Sequence, residues 1–90
     1  MQVGEKAWYL YVVRCIDDTL YTGVTTNITR RINEHNTNQR GAKYTRTRRP
    51  VELVFCLGFK NRSLAQKAEH RFKKLTREQK VFFVDRVQSL

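Results

Sequence analysis

Ninety residues is the length of one small domain, near the lower limit for burying a core without cross-links, so nearly every apolar residue is needed for folding. Lysine and arginine number 18 against 8 aspartate and glutamate, a net charge of +10, which points to a polyanionic partner, nucleic acid first. No apolar run approaches membrane-spanning length, Met1 to Lys6 lack the apolar core of a signal peptide, and the amphipathic stretches have core-sized apolar faces, so a cytoplasmic location is expected and a membrane partner is not.

Ala7 to Cys15 is a run of aromatic and β-branched residues, the composition of a strand buried on both faces. Asp17-Asp18-Thr19 then interrupts it with side chains that bond their own backbone in turns. Leu20 to Val24 is a second strand, close enough behind the first to form a hairpin. Thr25-Thr26-Asn27 offers N-cap residues for a helix from about Ile28 to Asn36. Thr37 to Pro50 shows no helical or strand periodicity and carries Arg40, Lys43, Arg46, Arg48 and Arg49 with no acidic residue. It reads as a basic loop, either a solvated connection or, because it adjoins Arg30 and Arg31, a phosphate-contacting segment in which Tyr44 offers a stacking surface and Thr45 and Thr47 offer hydroxyls.

Val51 to Phe59 reads as a third strand, apolar enough to lie centrally or against a helix. Asn61-Arg62 makes a turn, and Ser63 with Gln66 forms a capping box for a helix to about Leu75, burying Leu64, Ala65, Ala68, Phe72 and Leu75. Thr76 with Gln79 repeats the capping pattern and starts a last helix to about Val87, buried through Val81, Val84 and Val87 with Phe82 or Phe83 assisting. The expected fold is α+β, a three-stranded, mainly antiparallel sheet flanked by helices in ββαβαα order, as a single domain. Cys15 and Cys56 fall in separate strands with no Cys-x-x-Cys or histidine spacing nearby. That pattern argues against zinc, leaves a disulfide geometrically open and favours two reduced core thiols.

Periodicity decides which side chains can meet. Alternation puts Tyr9, Tyr11 and Val13 on one face of the first strand, and Tyr21 with Gly23 on one face of the second. On the helix, Asn27, Arg31 and His35 share a stripe beside the apolar stripe of Ile28 and Ile32. Two phenols, a guanidinium and an imidazole therefore converge if the helix covers the tyrosine face, and Gly23 permits a close approach there. Glu69 leaves its helix at the rim of the buried face, where a carboxylate is paired, hydrated or cation-bound; Arg62, Lys73 or a loop arginine could pair with it. Taken singly, the tyrosines fit core positions, Arg31 a surface cation and His35 a helix-end residue.

In combination these residues resemble the GIY-YIG endonuclease superfamily: Tyr9-Leu10-Tyr11 stands for the first tripeptide, Tyr21-Thr22-Gly23 for the second, and Arg31 for the helix arginine. The chain is similar, from about residue 8 to residue 84, to small single-domain bacterial proteins of the UPF0213 type through Leu20 to Thr26, Arg30-Arg31 to His35-Asn36, Gly41 to Arg46 and the Glu69 helix. The resemblance implies an endonuclease that hydrolyses DNA phosphodiesters to 5′-phosphate and 3′-hydroxyl ends. Glu69 would bind one Mg²⁺ or Mn²⁺, and Arg31 would bind phosphate oxygens. Tyr11 would be the general base, with Tyr21 as hydrogen-bonding partner and alternative base, and His35 an auxiliary in proton transfer or phosphate contact. Arg30, Arg40, Lys43, Tyr44, Arg46, Arg48 and Arg49 would bind nucleic acid, DNA first and RNA second. Tyr9 stands where the family name has glycine, and Val24 follows Gly23 where excision-repair relatives carry a lysine. The rival readings are a nucleic-acid-binding module that keeps the fold without cleavage, and a subunit recruited by a repair or processing partner.

Overall fold

The computed structural model describes residues 6–37 and 40–88. Strands β1 (Trp8–Arg14) and β2 (Leu20–Thr25) pair antiparallel, with Tyr11 opposite Gly23 and Val13 opposite Tyr21. Strand β3 (Glu52–Phe59) adds antiparallel to the other side of β1, giving the order β2-β1-β3. Helix α1 (Ile28–Thr37) and a single turn, α2 (Lys43–Arg46), lie between β2 and β3 in sequence, and α3 (Arg62–Lys73) and α4 (Arg77–Gln88) follow β3. The expected α+β fold and ββαβαα order hold, with α2 added where the sequence shows only a loop. A four-residue helix is too short to produce periodicity, which is why the sequence pattern hides it.

Leu10 to Val13 are all buried because β1 is the central strand with a core on each face. Leu10 and Val12 pack with Val54, Phe55, Phe72 and Val84 on one face, whereas Tyr11 and Val13 pack with Cys15 and Val51, beside Tyr21 and Ile32, on the other. The β1–β3 register slips between Val12, opposite Phe55, and Val13, opposite Leu53. Val54 is the extra residue of this bulge, so Val54 and Phe55 both reach the same core, which strict alternation would forbid. As an edge strand, β3 leaves Cys56 exposed; only Cys15 is a core thiol, and both are free. This corrects the expectation of two buried cysteines.

The helices start where side chains satisfy their free N–H groups. Asn27 Oδ1 accepts from the Arg30 N–H at 3.0 Å, and the Asn27 N–H donates to Thr25 Oγ1 at 3.1 Å. For α3 the cap is Asn61, whose Oδ1 accepts from the Leu64 N–H at 2.9 Å, rather than Ser63. Leu64 is 42% exposed, contrary to expectation, because Ala65, Ala68, Phe72 and Leu75 fill the buried stripe and Leu64 points about 100° away from Ala65. The second capping box forms as expected: the Thr76 N–H donates to Gln79 Oε1 at 2.9 Å and the Gln79 N–H to Thr76 Oγ1 at 3.1 Å. Val84 is buried and Val81 half-buried, Phe83 sets its edge against Phe55 and Phe72, Phe82 is exposed, and the side chain of Val87 lies outside the described residues.

Gly23 connects this fold to the candidate site. A Cβ at that position would stand 2.5 Å from the Tyr11 hydroxyl oxygen and 2.7 Å from its Cζ. The close approach expected at this glycine is made by the Tyr11 phenol, lying across β2. Gly23→Ala should therefore displace the ring and lower stability by about 1–3 kcal/mol, the cost of overpacking a filled core. Denaturant unfolding checks this, and an unchanged midpoint would contradict it.

Candidate active site

Tyr11 reaches from β1 across Gly23 to α1, where its hydroxyl lies 2.8 Å from Nε2 of His35. Both residues are buried. His35 sits in the last turns of α1, and its Nδ1 lies 2.9 Å from Thr45 Oγ1 and 3.3 Å from the Ala42 N–H, both from the α2 turn. Gly41 lets this turn come in, since a Cβ there would lie 2.7 Å from the Glu34 carbonyl oxygen. Tyr21 sets its edge to the imidazole at 5.4 Å between ring centres and stacks on Tyr44 at 5.8 Å. Arg48 lies 3.9 Å over the Tyr44 ring and pairs with Asp17 at 3.0 Å. A continuous row thus runs from Arg48 through Tyr44, Tyr21 and His35 to Tyr11.

Arg31, one turn before His35, faces the phenol as the helical spacing predicts. Its Nη1 donates to Glu34 Oε1 at 2.8 Å and to the Arg40 carbonyl at 2.7 Å. Burial opposes its charge, but Glu34 and Tyr11 outweigh that and raise its pKa further. The same Arg31 contact holds the Glu34 carboxyl below the usual carboxylate range.

Burial pushes the Tyr11 phenol up to about 12; Arg31 works against this, while the Tyr21 and Glu69 charges add to it. Arg31 by itself does not overcome the desolvation of the phenolate. Burial lowers the His35 imidazole to about 4, with Arg31 and Arg49 assisting and Glu34 opposing. At neutral pH the pair is a phenol and an uncharged imidazole. Among the described residues, His35 and Arg31 rather than Tyr21 are the hydrogen-bond partners of the Tyr11 hydroxyl.

Helix α3 packs against β1 and β2. Glu69 on that helix is half-buried and pairs with Lys73, Oε2 to Nζ at 3.1 Å, one of the pairings its sequence position allowed. Its charge reaches Tyr11, and Lys73 lines a shallow recess with Tyr21, Thr22 and Tyr44. Among the described residues no cluster of three or more histidine, cysteine, aspartate or glutamate side chains could cage a metal. A lone carboxylate still suits Mg²⁺ or Mn²⁺, hard ions that keep several waters and take further oxygens from a bound phosphate.

The basic segment divides. Arg48 also donates to the Tyr44 carbonyl, and Arg49 donates from Nε to the His35 carbonyl. These two cations brace the site from inside, and Tyr44 already stacks on Tyr21. Arg30, Arg40, Lys43 and Arg46 are exposed; Arg30 lies 3.7 Å from Glu34. Sequence reasoning missed two partners. The i, i+3 spacing of Arg31 and Glu34 could have revealed one. Thr45, fully buried against His35, had no signal, because the contact depends on how the α2 turn folds back on α1.

Residues 7–81 match the GIY-YIG catalytic domain. The chain belongs to the GIY-YIG family. It is 54% identical over 75 residues to a UPF0213 protein of Desulfotalea psychrophila, covering 83% of this chain and 68% of that one. The solution structure of the protein EF2693 from E. faecalis is similar, with a TM-score of 0.63, 46% identity and coverage of 94% of this chain and 90% of that one. A second solution structure, of a UPF0213 protein from Bacillus halodurans, gives a TM-score of 0.56 at 40% identity, covering 87% and 82%. Tyr11, Arg31 and Glu69 all lie within the matched residues. Among the described residues no helix is long and apolar enough to cross a membrane.

The neutral His35 has a consequence for stability. Its pKa is lower folded, about 4, than unfolded, near 6.5, so protons favour the unfolded chain. Stability should be complete above about pH 6.5 and fall as pH drops towards 4, by roughly 2–3 kcal/mol. Comparing pH-dependent urea unfolding of wild type and His35→Gln isolates the contribution. Equal slopes in the two proteins would contradict it.

Proposed function

We propose that the protein is a divalent-metal-dependent endonuclease that hydrolyses phosphodiesters in DNA, leaving 5′-phosphate and 3′-hydroxyl ends. The observation that carries this reading is the buried Tyr11–His35 pair facing Arg31, with the Glu69 charge in electrostatic reach, on a chain of net charge +10. Glu69 is the residue that holds the ion, after release from Lys73. When bound, the ion supplies positive charge to the departing 3′ oxygen.

The remaining work falls to the chain's own groups. With Nη1 of Arg31 engaged by Glu34 and the Arg40 carbonyl, its other N–H groups bind the non-bridging phosphate oxygens as charge develops on phosphorus. Tyr11 takes the proton of the attacking water at its hydroxyl oxygen, having first released its own proton to solvent. That release is unfavourable in the resting site, where the pKa is about 12, so cationic charge must arrive with the substrate. His35 stays neutral and holds the phenol in place. Arg30, Arg40, Lys43 and Arg46 contact the backbone of the nucleic acid, with steep salt dependence and little sequence preference; RNA is the second substrate class.

One observation favours a nucleic-acid-binding module without cleavage: the Glu69–Lys73 ion pair occupies the carboxylate that would take the metal. Nicking of supercoiled plasmid and of branched DNA with Mg²⁺ separates the readings. The wild type should cleave, Glu69→Ala, Arg31→Ala and Tyr11→Phe should each lose about 10²-fold or more, and the wild-type rate should rise with pH into the alkaline range. DNA binding without metal-dependent cleavage, equal in wild type and Glu69→Ala, would establish the binding module instead.

A further inference from the structure

A neutral imidazole carries one proton on two nitrogens, so the bonds made by one nitrogen decide what the other can do. Nδ1 of His35 meets the Ala42 backbone N–H at 3.3 Å and the Thr45 hydroxyl at 2.9 Å. The amide can only donate. The hydroxyl can turn its proton either to Nδ1 or to the Ala42 carbonyl, also 2.9 Å away. If Nδ1 were protonated, two N–H groups would point at each other, in a pocket where both His35 and Thr45 are sealed from water. If Nδ1 carries a lone pair, the amide and the hydroxyl both find an acceptor. The proton then sits on Nε2, which faces the Tyr11 oxygen at 2.8 Å.

We propose that Ala42 and Thr45 are positioning residues that hold His35 as the Nε2–H tautomer, so that the imidazole donates to the Tyr11 oxygen and directs the phenol's own proton away from His35. The opposite tautomer would tie that proton to Nε2. In the arrangement drawn here, the oxygen receives an N–H from His35 and faces the Arg31 guanidinium, and both favour negative charge on it. The tautomer follows from packing and hydrogen bonding alone. Its kinetic consequence rests on the endonuclease reading above.

The chain has two histidines, so His70→Gln leaves His35 alone in a ¹⁵N-detected long-range correlation spectrum at neutral pH. The expected spectrum shows a protonated Nε2 and an unprotonated Nδ1. In Thr45→Val the Nδ1 signal should shift as the hydroxyl contact is lost while the Ala42 amide keeps Nδ1 unprotonated, with cleavage falling roughly tenfold or more as the imidazole loses one of its two anchors; Thr45→Ser should keep the wild-type signals and rate. A protonated Nδ1 in the otherwise wild-type protein overturns the proposal, and so does a Thr45→Val spectrum identical to wild type. Should Thr45→Val fail to fold, the His70→Gln spectrum with and without Thr45→Ser decides it. The expected tautomer in a protein that cleaves nothing would defeat the endonuclease reading and leave the positioning role standing; cleavage with a protonated Nδ1 would do the reverse.

Discussion

A phenol oxygen and an imidazole nitrogen 2.8 Å apart, on two buried side chains, set the conditions for everything around them. The Tyr11 ring needs a glycine opposite it in β2, and Gly23 supplies the space. His35 must lie on the face of α1 turned to the sheet, which Asn27 at the N-cap and Ile32 against the sheet arrange. Once buried, the imidazole needs partners for its second nitrogen, and the α2 turn provides them. A segment that looks from its charge like a solvated loop is therefore part of the floor of the site. Buried polar groups left without such partners would cost several times what each bond contributes.

The electrostatics follow from the same burial. Water exclusion raises the Tyr11 pKa and lowers that of His35, so the resting pair carries no charge. Arg31 keeps its charge because Glu34 and Tyr11 stabilise it beyond the cost of burial. The resting site is thus a neutral, hydrogen-bonded pair beside a fixed cation. The Glu69–Lys73 pair fits the same pattern, since Lys73 offsets the charge of the carboxylate. Arg48 and Arg49, easily counted among the nucleic-acid contacts, act inward on Asp17, Tyr44 and the His35 carbonyl.

Much of this was legible in the residues. The composition of the first strand announced its central place, the hairpin and the Thr76–Gln79 capping box formed as read, and the i, i+4 spacing of Arg31 and His35 did bring them to the tyrosine face. What escaped has physical causes. The bulge at Val54 depends on pairing between strands, so no local pattern reveals it. Asn61 and Ser63 are both good caps, and sequence alone does not choose between them. Leu64 borders the apolar stripe of α3 in sequence, yet Ala65, Ala68, Phe72 and Leu75 already fill that stripe. The pKa of Tyr11 depends on how deeply the ring is buried, which no spacing rule reports, and the role of Thr45 depends on a one-turn helix too short to leave a period.

The central claim is that Glu69 on α3 and the Tyr11–Arg31 pair from the hairpin and α1 serve one metal-and-phosphate site. Paramagnetic broadening by Mn²⁺, followed residue by residue in NMR spectra of the protein bound to a short uncleavable DNA duplex, tests that convergence directly. The account predicts broadening centred on Glu69 that extends to Tyr11, Gly23 and Arg31 and disappears in Glu69→Ala. Broadening confined to other acidic residues, such as Asp17 and Asp18, with Tyr11 and Arg31 unaffected, would contradict it.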